Sequence, residues 1–150
     1  YTNKYKGEQV EVALFGGDYQ EGVLTAYCSV DDIAHVESRL GRESVAGNRH
    51  RPDGAELRWR QLGIKGLQSD PQLPYFIEWE QGIPHPSDDA DTEVTIDSLQ
   101  IAGDPDRVRE WLGLPADATS TVIDFHFVSP HGTPGLMAVT FDTPNGDVTI

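Results

Sequence analysis

Apolar positions recur in short runs whose spacing changes along the chain. Val10, Val12 and Leu14 share one face at period two, which predicts a strand over Gln9 to Phe15. Gly16-Gly17-Asp18 ends it. Residues 23–30 are apolar on both faces and predict a second strand, covered on both sides. Asp31-Asp32 supplies carboxylates that cap a helix over Asp32 to Leu40, where Ile33, Val36 and Leu40 recur at spacings of three and four. Gly41 is its C-terminal stop. Arg51-Pro52-Asp53-Gly54 is a turn, because Pro presets φ and Gly accepts positive φ. Ala55 to Leu62 alternates: Leu57 and Trp59 share one face, and Glu56, Arg58 and Arg60 share the other. Residues 75–80 form a further strand with Phe76 and Glu78 on one face and Tyr75, Ile77 and Trp79 on the other.

Residues 81–93 break the pattern with two prolines, small polar residues and a charge run, as a linker does. Beyond it the pattern restarts. Val94 to Ala102 predicts a strand, and Gly103-Asp104-Pro105-Asp106 starts a helix with Pro at its first position. Val108, Trp111 and Leu112 form the apolar stripe, and Gly113 ends it. Thr121 to Val128 and Leu136 to Asp142 are strands, and Thr143-Pro144-Asn145-Gly146 turns the chain into Asp147 to Ile150. A partial repeat joins the halves: at an offset of 72 residues, Asp32, Val36 and Leu40-Gly41 fall on Asp104, Val108 and Leu112-Gly113. In each half a strand therefore precedes the helix and several strands follow it. The expected division is a strand-like remnant of a preceding module over 1–20, a module over 21–80, the linker over 81–93 and a second module over 94–150.

Composition narrows the partners. With 25 acidic and 11 basic residues the net charge is −14, which repels nucleic acid and anionic membrane. The acids are unevenly placed: residues 1–75 carry 11 against 9 bases, and residues 76–150 carry 14 against 2. A site for an anion is therefore expected in the first half. Cys28 is the single cysteine, so neither an intrachain disulfide nor a cysteine-rich zinc site is expected. In the middle of an apolar strand its thiol reads as a core residue. The run Tyr1 to Lys6 lacks the apolar segment of a signal peptide, and no stretch is long and apolar enough for a membrane span. There is no nucleophile elbow, phosphate loop or dinucleotide fingerprint.

Two stretches resemble a known family. Arg49-His50-Arg51-Pro52-Asp53-Gly54-Ala55-Glu56-Leu57-Arg58-Trp59-Arg60 resembles the Arg-Pro-Asp-Gly-x-x-Leu-x-Trp-Arg segment of glyoxalase-like domains common in actinobacteria. Leu73-Pro74-Tyr75-Phe76-Ile77-Glu78-Trp79 resembles the Leu-Pro-Phe-Phe-Ile-Asp/Glu-Trp strand of the same family. These domains belong to the vicinal oxygen chelate superfamily, and the resemblance spans residues 22–150. It implies an α+β fold of tandem βαβββ modules, with curved mixed sheets forming a cleft and helices on the outer faces. It also implies a bacterial, cytoplasmic protein with a small-molecule ligand, and pairing of modules within a chain or in a homodimer. Relatives usually open with a further complete module, whereas only Gln9 to Phe15 stands there in this sequence.

The superfamily contains metal-dependent lyases, isomerases and dioxygenases acting on oxygen-rich metabolites, and also binding proteins that sequester a small molecule without chemistry. Its metal sites draw His, Gln or Glu from the first strand of a module and Glu from the last. The first module here offers Thr25 and Tyr27, then Glu78. The second offers Asp97 and Gln100, then Asp147. His126 alternates with Phe125 and Phe127, and His131 lies in a turn. The usual ligand set of a divalent metal is not seen. Arg49, Arg51, Arg58 and Arg60 form the most informative polar cluster, and two readings of it stand. Arg58 and Arg60, spaced two apart, form either a clamp for an anionic substrate beside a catalytic or metal-binding Glu78, or a cross-strand ladder with acidic neighbours. Tyr27 and His85 are the other candidate substrate contacts, His85 at a pocket mouth or simply within the linker.

Overall fold

The computed structural model describes residues 11–15, 25–67, 69–83, 93–114, 123–128 and 133–150. Among them the chain forms β1 (Glu11–Phe15), β2 (Thr25–Ser29), α1 (Ile33–Leu40), β3 (Val45–His50), β4 (Glu56–Leu62), β5 (Tyr75–Trp79), β6 (Thr95–Ala102), α2 (Pro105–Leu112), β7 (Asp124–Val128), β8 (Gly135–Asp142) and β9 (Val148–Thr149). A single 3-10 turn, Ile64–Gly66, follows β4.

Local chemistry sets both helices. Asp32 accepts the amide of Ala34 at 3.0 Å, and Gly41 closes α1 at φ 61°, a left-handed conformation that suits glycine. Asp104 accepts the amides of Asp106 and Arg107, Pro105 opens α2, and Gly113 ends it. The paired motifs of the sequence repeat are thus paired helix caps.

The strands build two mixed sheets in an α+β architecture. The first has the order β1-β2-β5-β4-β3, with β2 and β5 parallel and the other neighbours antiparallel. Its β2-α1-β3-β4-β5 portion is a βαβββ unit in which the first strand returns beside the last. The strand-like opening segment joins this sheet: Glu11 pairs with Ser29 and Phe15 with Thr25. The second sheet has the order β7-β6-β8-β9. Here the element order repeats but the pairing does not. After α2 the chain comes back alongside β6 as the parallel strand β7, and β8 then pairs on the other side of β6.

β3 lacks an apolar alternation, which is why its sequence does not announce it. It is an edge strand, exposed along most of its length. The linker prolines, His85 and His131 lie outside the described residues.

One apolar core holds both halves. Cys28, Leu62 and Phe76 of the first sheet meet Ile33 and Val36 of α1, Val108 and Leu112 of α2, and Leu99, Ile101 and Val139 of the second sheet. Burying each of these larger side chains contributes about 1.5–3 kcal/mol. A small apolar cavity of about 20 Å³ remains between Cys28, Leu73, Leu99 and Phe125, close to the space of a single water molecule.

Polar contacts fix the halves in register. The Arg39 guanidinium at the end of α1 donates to the carbonyls of Glu110 (3.0 Å) and Trp111 (2.8 Å) at the end of α2. Cationic donors suit the carbonyls of a helix's last turn, which carry the negative end of its dipole; that of Glu110 also accepts the Gly113 amide. Trp111 Nε1 donates to the Pro74 carbonyl at 2.6 Å. Arg107 bonds Asp70 at 2.6 Å, and the Gln72 side chain accepts the Asp104 amide at 2.8 Å. The segment between β4 and β5 therefore clamps the start of α2.

Candidate functional site

Alternation along the first sheet sorts its side chains onto two unlike faces. The helix-covered face carries Cys28, Phe76, Glu78, Arg58, Arg60 and Leu62. The opposite face carries Tyr27, Tyr75, Ile77, Trp79, Trp59 and Gln61, placed by the register pairs Tyr27–Tyr75, Trp59–Trp79 and Gln61–Ile77. No described α-helix lies on this second face; only the 3-10 turn reaches it, through Leu67. Tyr27, Tyr75 and Ile77 form its buried floor, and Leu67, Trp59 and Trp79 pack against them half-buried.

The aromatic rings are held at defined angles. Tyr27 and Tyr75 lie 5.5 Å apart between centroids at 34°, and Trp59 and Trp79 lie 5.5 Å apart at 55°. Both are tilted arrangements favoured by ring quadrupoles. Burial pushes the Tyr75 hydroxyl up to about 12, so it stays protonated at neutral pH. Trp59 Nε1 donates to Gln61 Oε1 at 3.0 Å. The Trp59 indole also rests on the backbone of Gly47, its partner across the β3–β4 ladder. A Cβ added at Gly47 would come within 2.5 Å of the ring. Glycine at this position is what lets the indole lie down on the sheet.

The arginine cluster divides between the faces. Arg58 bonds Glu56 at 2.7 Å and approaches Glu80 at 3.6 Å. Arg60 donates from Nε to Ser44 Oγ at 2.9 Å and lies 3.6 Å from Glu37. Both are thus engaged in acidic ladders on the helix-covered side, turned away from the aromatic face. Arg51 pairs with Asp53 at 3.3 Å. Of the four arginines at positions 49, 51, 58 and 60, Arg49 alone has no acidic partner among the described residues. It stands opposite Leu57 in β3, two positions beyond Gly47, and the alternation puts it on the aromatic face.

Glu78 is also on the helix-covered side. Its Oε2 accepts the backbone amide of Ile33 at 2.9 Å, one of the free donors in the first turn of α1. Glu37 accepts both the amide (2.7 Å) and the hydroxyl of the buried Ser44. Those bonds, with Arg60 nearby, hold its carboxyl below the ordinary carboxylate range. Tyr27 is the one sequence candidate that the described residues place on the helix-free face, deep in its floor. Its cross-sheet neighbours Trp59, Trp79 and Gln61 read from sequence only as core or as alternating positions. Val45, Gly47 and Arg49, which complete the face, carry no apolar period and leave no signal in the sequence.

The divalent metal implied by the resemblance is not matched by these donors. Glu78 is committed to α1. Asp97, Gln100 and Asp147 are exposed, and all three belong to the second sheet or its turn, away from Glu78. Gln100 has His126 beside it across the β6–β7 ladder. Among the described residues no three His, Cys, Asp or Glu side chains converge.

The sheet of this βαβββ unit turns one face to α1 while no described α-helix covers the other, an arrangement consistent with the vicinal oxygen chelate class. Within that class, the family model of the glyoxalase-like domain matches residues 4–116, well over half of the chain. The chain belongs to the glyoxalase-like domain family. The match takes in β1, the whole βαβββ unit and the second sheet as far as α2. No curated protein and no solved structure matches the chain. Among the described residues no helix is long and apolar enough to cross a membrane.

Proposed function

We propose that this protein binds a small organic molecule on the helix-free aromatic face of its first sheet, without a metal-dependent reaction at Glu78. The Trp59–Trp79 pair carries this reading. Two half-buried indoles, one bonded to Gln61 and seated on Gly47, make a rigid apolar surface with polar groups at its margin. Small-molecule sites combine an apolar lining with a few placed polar groups in this way. The rival reading, a metal-dependent lyase, isomerase or dioxygenase, rests on the family alone, and one fold hosts several chemistries. The net charge of −14 favours a small ligand over nucleic acid or an anionic membrane. A single buried thiol fits a reducing cytoplasm.

Two titrations test the proposal together. A panel of small aromatic compounds is followed through tryptophan indole N–H resonances, and Mn, Fe, Ni and Zn salts are added alone by calorimetry. Saturable shifts of the Trp59 and Trp79 signals without stoichiometric metal uptake support binding. Stoichiometric metal uptake that is lost in Glu78→Gln, with no aromatic compound shifting either signal, overturns it.

A further inference from the structure

The ligand class can be narrowed, on the basis that the aromatic face is the ligand face. Trp59 lies flat over Gly47, so it offers a plate rather than an edge. Its Nε1–H is already given to Gln61, so the ring face, and not the donor, is left for a ligand. Two residues along the same strand face, roughly 7 Å away, Arg49 brings a guanidinium. Its neighbours Arg51, Arg58 and Arg60 each hold a carboxylate of this chain, whereas Arg49 has none among the described residues. In a molecule with 25 acidic residues, a guanidinium without an acidic partner beside an aromatic plate is a mark of charge selection.

We infer that the face selects flat, conjugated carboxylates, with the ring stacked on Trp59 and the carboxylate received by Arg49. Stacking needs a π-face and favours offset or tilted contact with the indole. The guanidinium fork accommodates both carboxylate oxygens at once. A saturated carboxylate lacks the first interaction, and a neutral aromatic amide lacks the second. Together the two requirements exclude the nucleic-acid backbone and simple inorganic anions as preferred ligands.

The test uses 2-naphthoate, 2-naphthamide and cyclohexanecarboxylate as probes of the whole protein, measured by calorimetry and by the three tryptophan indole N–H signals. The expected result is that 2-naphthoate binds about tenfold more tightly than either other probe, the scale of one charge-assisted hydrogen bond at an exposed site. Its binding moves the Trp59 and Trp79 signals and leaves Trp111, which is bonded to Pro74 in the core, in place. Arg49→Gln removes the preference for the carboxylate over the amide. Arg58→Gln, on the opposite face, keeps it. Equal binding of naphthoate and naphthamide to the wild type overturns the ligand class. So does a preference that survives Arg49→Gln. Both outcomes leave the face as a binding surface. If no probe moves the Trp59 or Trp79 signals, the ligand class and the aromatic face fall together.

Discussion

The carboxylate of Glu78 accepts the backbone amide of Ile33 at 2.9 Å, across 45 positions of sequence, so the last strand of the first unit caps that unit's own helix. A negative charge at a helix N-terminus both satisfies a free donor and meets the positive end of the dipole. The residue best placed in sequence for acid–base or metal chemistry is thereby engaged in holding the fold.

A first prediction follows for Glu78. Glu78→Ala should lower stability by about 1 kcal/mol, the usual cost of losing a helix N-terminal acceptor. Glu78→Gln, which keeps an acceptor oxygen, should lose less. Urea denaturation of both variants checks this. Naphthoate affinity should be unchanged in Glu78→Gln, since the side chain lies on the far face of the sheet.

Glu37 governs part of the acid response. Its folded carboxyl titrates below the unfolded value, chiefly because the Ser44 hydroxyl and amide donate to it. The stabilisation is therefore complete above the unfolded carboxylate range and is lost as pH falls through the folded value. Wild type should be more stable than Glu37→Gln at pH 7, and the gap should close as pH falls below about 4. Urea midpoints across that range read the difference. A gap that widens on acidification would contradict the assignment.

Cys28 should be silent in the native state. Burial pushes its thiol up to about 12, against only a weaker opposing effect of Arg39. An aromatic disulfide reagent at pH 8 should label almost none of it in native protein and one equivalent per chain after unfolding. The slow native labelling rate then measures opening of the shared core.

The contact between the halves should behave as a unit. Trp111→Phe leaves the Pro74 carbonyl without its donor and should cost about 1–2 kcal/mol. Arg39→Met removes both bonds to the end of α2 and should cost about 1 kcal/mol. Because Arg39 binds the carbonyl of Trp111 itself, the double variant should depart from the sum of the singles. A double-mutant cycle in urea measures that coupling, and strict additivity would count against a joint clamp.

Much of this architecture is legible from local signals. Asp32 and Asp104 start their helices and Gly41 and Gly113 end them, since caps and left-handed glycines act within a few residues. The two-residue period correctly separates Arg58, Arg60 and Glu78 from Trp59 and Trp79. What the period cannot say is which face a helix will cover. That depends on where α1 lands, and α1 lands on the charged side. β3 escapes notice because an exposed edge has no apolar side to alternate. The pairing of β6 with β7 escapes because identical element orders can be wired differently. Glu78 thus reads as chemistry, and Arg49 as one arginine among four, until the faces are known.

The hold that Arg39 takes on α2 has a consequence for how the sequence can drift. Its guanidinium grips main-chain oxygens, which every residue type presents alike. The side chain at position 110 can therefore be exchanged widely without loosening the grip. What must persist is the geometry of a helix ending at that spot, secured by Gly113 at φ 74°. An added Cβ there would come within 2.9 Å of the Arg39 guanidinium. A foreign helix of matching length, grafted between Asp104 and Gly113, would still offer Arg39 its two carbonyls, and would need only the side chains of Arg107, Val108, Trp111 and Leu112 to restore the remaining contacts.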